Sequence, residues 1–235
     1  VGPMSQYKNA DEYISAHRKM LADNPECGTT HYNLAVALMG QGKFDEAEKE
    51  LLEAIDCSPG LAEGYVQLGA ICLKRGDLEG CLDWNQRAVK ARPGFSEGHG
   101  NIGFVQLQLG NLTEGIKSLE RATHFNFRFV QAYATLASAY LMNGEVDKSI
   151  AACESALKVE PDFPIAHNNL AIAYMEKGDF AKAIAAALAE QLEVAPAVEW
   201  ADAVGRAWSP VSHLNSVADN EALRQAYNDA LEQLT

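Results

Sequence analysis

Basic residues are scarce in this chain: 19 Lys and Arg against 32 Asp and Glu leave a formal net charge of −13 over 235 residues. A surface of that sign repels the phosphate backbone that supplies most nucleic-acid affinity, and it repels anionic lipid headgroups, so neither nucleic acid nor a membrane surface is expected as a partner. Apolar runs are short as well. None approaches the ~20 residues that cross a bilayer, and the N-terminus lacks the basic-then-apolar order of a secretory signal, which points to a cytoplasmic protein. Cysteine is sparse and scattered at Cys27, Cys57, Cys72, Cys81 and Cys153, with no C-x-x-C pair for zinc or redox work, so reduced packing thiols are expected. Catalytic signatures are missing too. His17, His31, His99, His124, His167 and His213 form no H-E-x-x-H pair, and there is no glycine-rich phosphate loop, no G-x-S-x-G elbow and no Cys with an evident His partner. No enzyme activity, metal or cofactor is expected.

What the chain does have is apolar material, 48% of its residues, and a repeat. An apolar residue recurs every 34 positions as Leu34, Leu68, Ile102, Leu136 and Leu170, each followed by a small one: Ala35, Gly69, Gly103, Ala137 and Ala171. Glycine recurs as Gly42, Gly76, Gly110, Gly144 and Gly178, and two residues later come Phe44, Leu78, Leu112, Val146 and Phe180. Small residues return at Ala47, Cys81, Gly115, Ser149 and Ala183, then Ala54, Ala88, Ala122 and Ala156, and Pro59, Pro93 and Pro161 close three repeats, with Phe127 in that place once. Two antiparallel helices approach closely only where small side chains face each other, so the small positions predict the contact points. Glycine after the first helix suits a left-handed terminating residue, and proline discourages continuation of the second. One hairpin cannot bury its own apolar face, so the hairpins must stack along a continuous core.

This pattern resembles the tetratricopeptide repeat family over residues 28 to about 187. The resemblance implies an all-α solenoid of helical hairpins, a right-handed superhelix, with repeats at 28–61, 62–95, 96–129, 130–163 and 164–189. Residues 1–3 read as a cloning scar, and 4–27 as half a repeat whose capping helix spans residues 5 to 23. Roughly eleven helices precede the tail. The fifth repeat has a second helix that runs past its expected end.

In this family the first helices line a concave groove, with repeat positions 2, 5, 6, 9, 12 and 13 facing it. Position 6 here carries Asn33, Gln67, Asn101, Thr135 and Asn169, neutral side chains able to donate and accept hydrogen bonds. Position 9 carries Val36, Ala70, Phe104, Ser138 and Ile172, and position 12 carries Met39, Leu73, Leu107, Leu141 and Met175. A polar ladder flanked by apolar rows is similar to the asparagine ladder in the repeats of O-linked N-acetylglucosamine transferase, which bind an extended peptide backbone. It does not resemble the basic clamp of chaperone-binding members, because no Lys or Arg stands at position 2 or 6. The implied partner is therefore a peptide or protein in the groove, unnamed by the sequence, and the oligomeric state is unspecified. His31, His99 and His167 share position 4 with Tyr65 and Tyr133, where a ring is expected to pack between helices.

Residues 181–189 contain six alanines, and apolar residues continue at Leu188, Leu192, Ala195, Val198, Ala201, Val204 and Trp208, the stripe of a continuing amphipathic helix bent near Pro196. A last helix is signalled by Asp219 or Asn220 as N-cap, with Leu223, Tyr227, Ala230, Leu231 and Leu234 on one face. The stretches Arg206 to Val217 and Glu221 to Asn228 closely resemble the N-terminal helical region of oligopeptidase A, a zinc metallopeptidase of the thimet-oligopeptidase family. That family's zinc motif is absent, so its activity does not carry over. A helical segment at 190–235 from an unrelated protein, joined through an alanine-rich helix, reads as an engineered fusion sharing one helix, which would make the chain a rigid scaffold without a native ligand.

Overall fold

The computed structural model describes residues 7–179 together with Lys182, Ala183, Ala186 and Ala187. The expected shared helix beyond these and the segment 190–235 lie outside the described residues. Ten helices occur among them, and no strand: α1 (Ala10–Asp23), α2 (Gly28–Gly40), α3 (Phe44–Cys57), α4 (Ala62–Lys74), α5 (Leu78–Ala91), α6 (Ser96–Gln108), α7 (Leu112–Phe125), α8 (Val130–Met142), α9 (Val146–Val159) and α10 (Pro164–Glu176). Lys182, Ala183, Ala186 and Ala187 are helical as well, entered through the Asp179 side chain, which accepts from the Lys182 N–H at 3.2 Å. The N-terminal helix begins later than the expected residue 5. Asn9 is extended (φ −160°) and its side chain accepts the Glu12 N–H at 2.9 Å, a cap that starts the helix at Ala10.

Every first helix described here ends in the same way. Gly42, Gly76, Gly110, Gly144 and Gly178 have φ between 75° and 81°, which L side chains rarely adopt. After each, the next residue's N–H reaches back five residues: Lys43 to the Leu38 carbonyl, Asp77 to Cys72, Asn111 to Gln106, Glu145 to Tyr140 and Asp179 to Tyr174, at 2.8 to 2.9 Å. With the glycine N–H bonded three residues back, this is a Schellman motif at each turn. The chain is thereby reversed within three residues, and the second helix can pack antiparallel on the first.

The small positions are contact points, as the repeat predicts. A Cβ on Gly103 would lie 2.5 Å from Leu119 Cγ and 3.0 Å from the Gly115 carbonyl oxygen, and one on Gly115 would lie 2.6 Å from Leu107 Cδ2. Ala35, Ala47, Ala54, Ala88, Ala122, Ala137 and Ala156 are fully buried, so nothing larger fits between the helices they join. Leu34, Leu38, Leu51, Leu68, Ile71 and Leu119 fill the remaining space, each contributing roughly 1.5–3 kcal/mol by leaving water.

The described helices fall into two compact units that divide between Phe125 and Asn126, two residues before Phe127 stands in the place of the closing proline. In the first unit each of α1 to α7 packs against the next, around Tyr13, Ile14, Leu34, Leu38, Leu51, Leu68 and Ile71. In the second, α8 and α9 pair and α10 packs on both, with Val130, Ala134, Ala156, Phe163 and Ala166 at the centre. Ion pairs tie successive repeats at the surface, Arg18–Glu46 and Arg75 to Asp45 and Glu48 in the first unit and Lys177–Asp147 in the second, and Arg92–Glu63 joins the two helices of one repeat. Exposed pairs of this kind add about 0–1 kcal/mol each and set register more than stability.

Candidate functional site

The rings at repeat position 4 of α2, α4, α6 and α10 hold these first helices against the end of the repeat before them. Nε2 of His31, His99 and His167 lies 2.9, 2.8 and 2.7 Å from the carbonyl oxygens of Pro25, Pro93 and Pro161, and the Tyr65 hydroxyl donates to the Pro59 carbonyl at 3.2 Å. A carbonyl only accepts, so Nε2 carries the proton in all three histidines. The expected packing role holds, and it has a polar component: a constant spacing of six residues from proline to ring. His31 is satisfied twice, because its Nδ1 faces Glu50 Oε2 at 2.7 Å.

On the helices positioned this way, the row at position 6 divides. The Asn33 amide is half-buried and has no hydrogen-bond partner among the described residues, while Gln67, also half-buried, is hydrogen-bonded with the Tyr32 hydroxyl. Asn101 donates through Nδ2 to Asn85 Oδ1 at 3.0 Å and keeps its own Oδ1 as an open acceptor. Thr135 donates to the Gln131 carbonyl of its own helix at 2.8 Å. Asn169 is only 6% exposed, and its Nδ2 is shared between the Ala134 carbonyl at 3.0 Å and Ser138 Oγ at 2.9 Å. Asn169 therefore joins α10 to α8, and Asn101 joins α6 to α5.

Asn85 is a partner that the repeat pattern does not single out. It occupies the place of Leu51, Leu119 and Cys153 in the other repeats and is fully buried. Its Nδ2 donates to the Cys81 carbonyl at 2.8 Å, and its side chain fills the space over Gly69, where a Cβ would come within 2.4 Å of Nδ2. A polar residue in the register of core leucines is the signal that marks it in the sequence. Burial also pushes the neighbouring Cys81 thiol up to about 11 and Cys153 to about 12.

The apolar rows divide similarly. Val36, Leu73 and Phe104 in the first unit and Ile172 in the second are each about two-fifths exposed, and Met142 and Ile165 more so. Met39, Leu107, Leu141 and Met175 are half-buried, and Leu107 lies over Gly115, so part of it packs inward. Among the described residues, three or more metal-ligating side chains nowhere come together, and no helix is long and apolar enough to cross a membrane.

Two models of the tetratricopeptide repeat match the chain, one over residues 101–158 and 134–197 and the other over 4–67. A TPR repeat-containing thioredoxin, TTL4, from Arabidopsis thaliana is 32% identical over 71 residues, 30% of this chain and 10% of that protein. Oligopeptidase A from Haemophilus influenzae is 50% identical over 42 residues, 18% of this chain and 6% of that enzyme. The chain thus spans a tenth or less of either relative. Among solved structures, YrrB, described as a TPR protein with an unusual peptide-binding site, superposes with a TM-score of 0.64 at 18% identity, covering 82% of this chain and 99% of YrrB.

Proposed function

The chain belongs to the tetratricopeptide repeat family, and from that premise we propose that it is a non-catalytic interaction scaffold holding an extended segment of a partner protein against its first helices. The observation that carries this reading is the juxtaposition on α2, α4 and α6 of exposed Val36, Leu73 and Phe104 with the half-buried amides of Asn33 and Gln67. Amides that both donate and accept suit a peptide backbone, and the apolar side chains beside them gain about 0.8 kcal/mol per methylene when covered. Within the first unit Asn101 adds its free Oδ1 and Leu107 flanks the row; within the second, Thr135 keeps its hydroxyl lone pairs and stands on the same kind of face as Leu141 and Met175. Asn169 has its donor committed within the protein. The peptide-binding site described for YrrB supports the reading by analogy of fold. Five free cysteines support a reducing compartment such as the cytoplasm.

Selection of binders from a random peptide display library tests the proposal. Selected peptides should compete with one another and lose affinity by at least about tenfold for a Val36→Glu, Phe104→Glu variant, because each buried carboxylate would be left unpaired. Peptides that bind this variant as well as the parent would place recognition elsewhere.

The likeness to oligopeptidase A supports a second reading, in which the chain is an engineered fusion of a repeat array and a helical fragment sharing one alanine-rich helix, with no native ligand. A single genomic reading frame encoding residues 28–189 and 190–235 contiguously would remove it.

A further inference from the structure

Two clefts in the first unit lie between second helices, away from the first-helix face. One, about 880 Å³, runs between α3 and α5 beside Tyr65 and Trp84, and its charges balance: Glu53 and Asp56 against Arg87 and Lys90. The other, about 660 Å³, runs between α5 and α7 and is not balanced. Lys90, Lys117 and Arg121 line it together with His124, against the one carboxylate of Glu120. None of the ion pairs among the described residues involves Lys90, Lys117 or Arg121. The dipoles of α5 and α7 account for Lys90 and His124, each in the last turn of its helix, but not for Lys117 and Arg121. Such a concentration of cations without an ion pair among the described residues is unexpected in a chain of net charge −13.

The floor of this cleft is apolar and held in place. Phe125 is 49% exposed, yet its ring stacks on His99 with centroids 5.5 Å apart and meets His124 edge-on at 5.3 Å. Gly94 borders the same ring, and a Cβ there would sit 3.5 Å from it. His99 is itself fixed by its bond to the Pro93 carbonyl. An aromatic side chain pre-positioned beside cations that have no ion pair among the described residues offers an apolar contact and charge contacts to one ligand.

We propose that the α5–α7 cleft is a second binding site, which takes an acidic peptide segment of a partner protein by covering Phe125 with an apolar side chain and pairing carboxylates with Lys90, Lys117 and Arg121. A nucleic acid fits less well, since its charge continues past the cleft onto a surface of like sign. The site is separate from the first-helix face and needs none of the residues assigned to it.

Fluorescence anisotropy with a short fluorescein-labelled peptide, a central Phe flanked on both sides by Asp and Glu, tests this. Charge reversal by Lys117→Glu with Arg121→Glu should weaken binding by at least about tenfold, the effect of turning two attractive contacts repulsive. The milder Lys117→Gln, Arg121→Gln pair should weaken it by about threefold to tenfold and carries the test if the reversed variant does not fold. Replacing the central Phe of the peptide with Ala should also weaken binding, and Asn33→Ala with Gln67→Ala in the protein should leave it unchanged. The proposal is overturned if the folded Gln pair binds as tightly as the parent, if inorganic polyphosphate or a single-stranded RNA displaces the peptide as well as unlabelled peptide does, or if only the Asn33, Gln67 variant loses binding.

Discussion

Asn33 and Asn169 stand at the same place in their repeats and do different work. In the first unit the Asn33 amide has no hydrogen-bond partner among the described residues; in the second, the Asn169 amide is buried and bridges α10 to α8 through the Ala134 carbonyl and Ser138 Oγ. The difference lies in what faces the residue from the first helix of the preceding repeat. Ser138 on α8 offers Asn169 a hydroxyl, whereas Val36, the same thirty-one positions before Gln67, has no polar side-chain atom to offer. A neutral hydrogen-bonding side chain at this position is first consumed by the fold wherever an acceptor lies within reach. On the function proposed above, only what remains is available to a ligand.

That contrast is broken most severely at Asn85, which supports the Asn101 end of the row. Asn85→Ala should lower the unfolding free energy by about 2–4 kcal/mol, because it opens a cavity and strands the Asn101 donor. Urea denaturation measures this, and a cycle with Asn101→Ala should show coupling of about 0.5–2 kcal/mol. An effect below the error of the extrapolation would mean that the buried amide pair is idle. Next in size, Asn169→Ala should cost about 1–3 kcal/mol of stability, whereas Asn33→Ala should stay within about 0.5 kcal/mol. Equal losses would erase the distinction between the two.

A smaller effect, in rate rather than stability, separates the cysteines by the same logic of what surrounds them. The Thr30 hydroxyl, 3.0 Å from Cys27 Sγ, and the backbone N–H groups of the first turn of α2 hold the Cys27 thiol below the usual range. Burial raises Cys72, Cys81 and Cys153. At pH 8 a thiol-specific chromogenic reagent should therefore label Cys27 first, and Cys81 and Cys153 only on unfolding. The sign of the accompanying pH effect follows from the raised folded values: the unfolded thiol, near 9, ionises first. Stability contributed by Cys81 and Cys153 should be complete below pH 9 and decline as the pH rises toward 11 to 12.

Most of the fold was legible because each repeat states it again. Glycine at a fixed interval marks a left-handed residue, and all five glycines adopt it; alanine at positions 20 and 27 of the repeat marks close helix contacts, and these alanines are buried. The start of α1 was less legible, since nothing in the apolar pattern distinguishes residue 5 from residue 10 and the Asn9 cap decides it. For the site, the pattern named the row but not its division, because whether an amide is spent depends on the residue opposite it in space. Asn101 meets Asn85, sixteen positions earlier, and Asn169 meets Ser138, thirty-one positions earlier. The α5–α7 cleft left no trace in the repeat at all: its cations come from the outer faces of second helices, where the pattern places no constraint.

The proposed division of position 6 between binding and folding is addressed directly by one paired measurement. A peptide selected on the parent protein is titrated calorimetrically against the Asn33→Ala, Gln67→Ala variant and against Asn169→Ala, and both variants are melted in the absence of peptide. An affinity loss of about 1–3 kcal/mol with little change in melting temperature is expected for the first, and a lowered melting temperature with affinity nearly intact for the second. The reverse assignment, or equal effects on both properties in both variants, would contradict it.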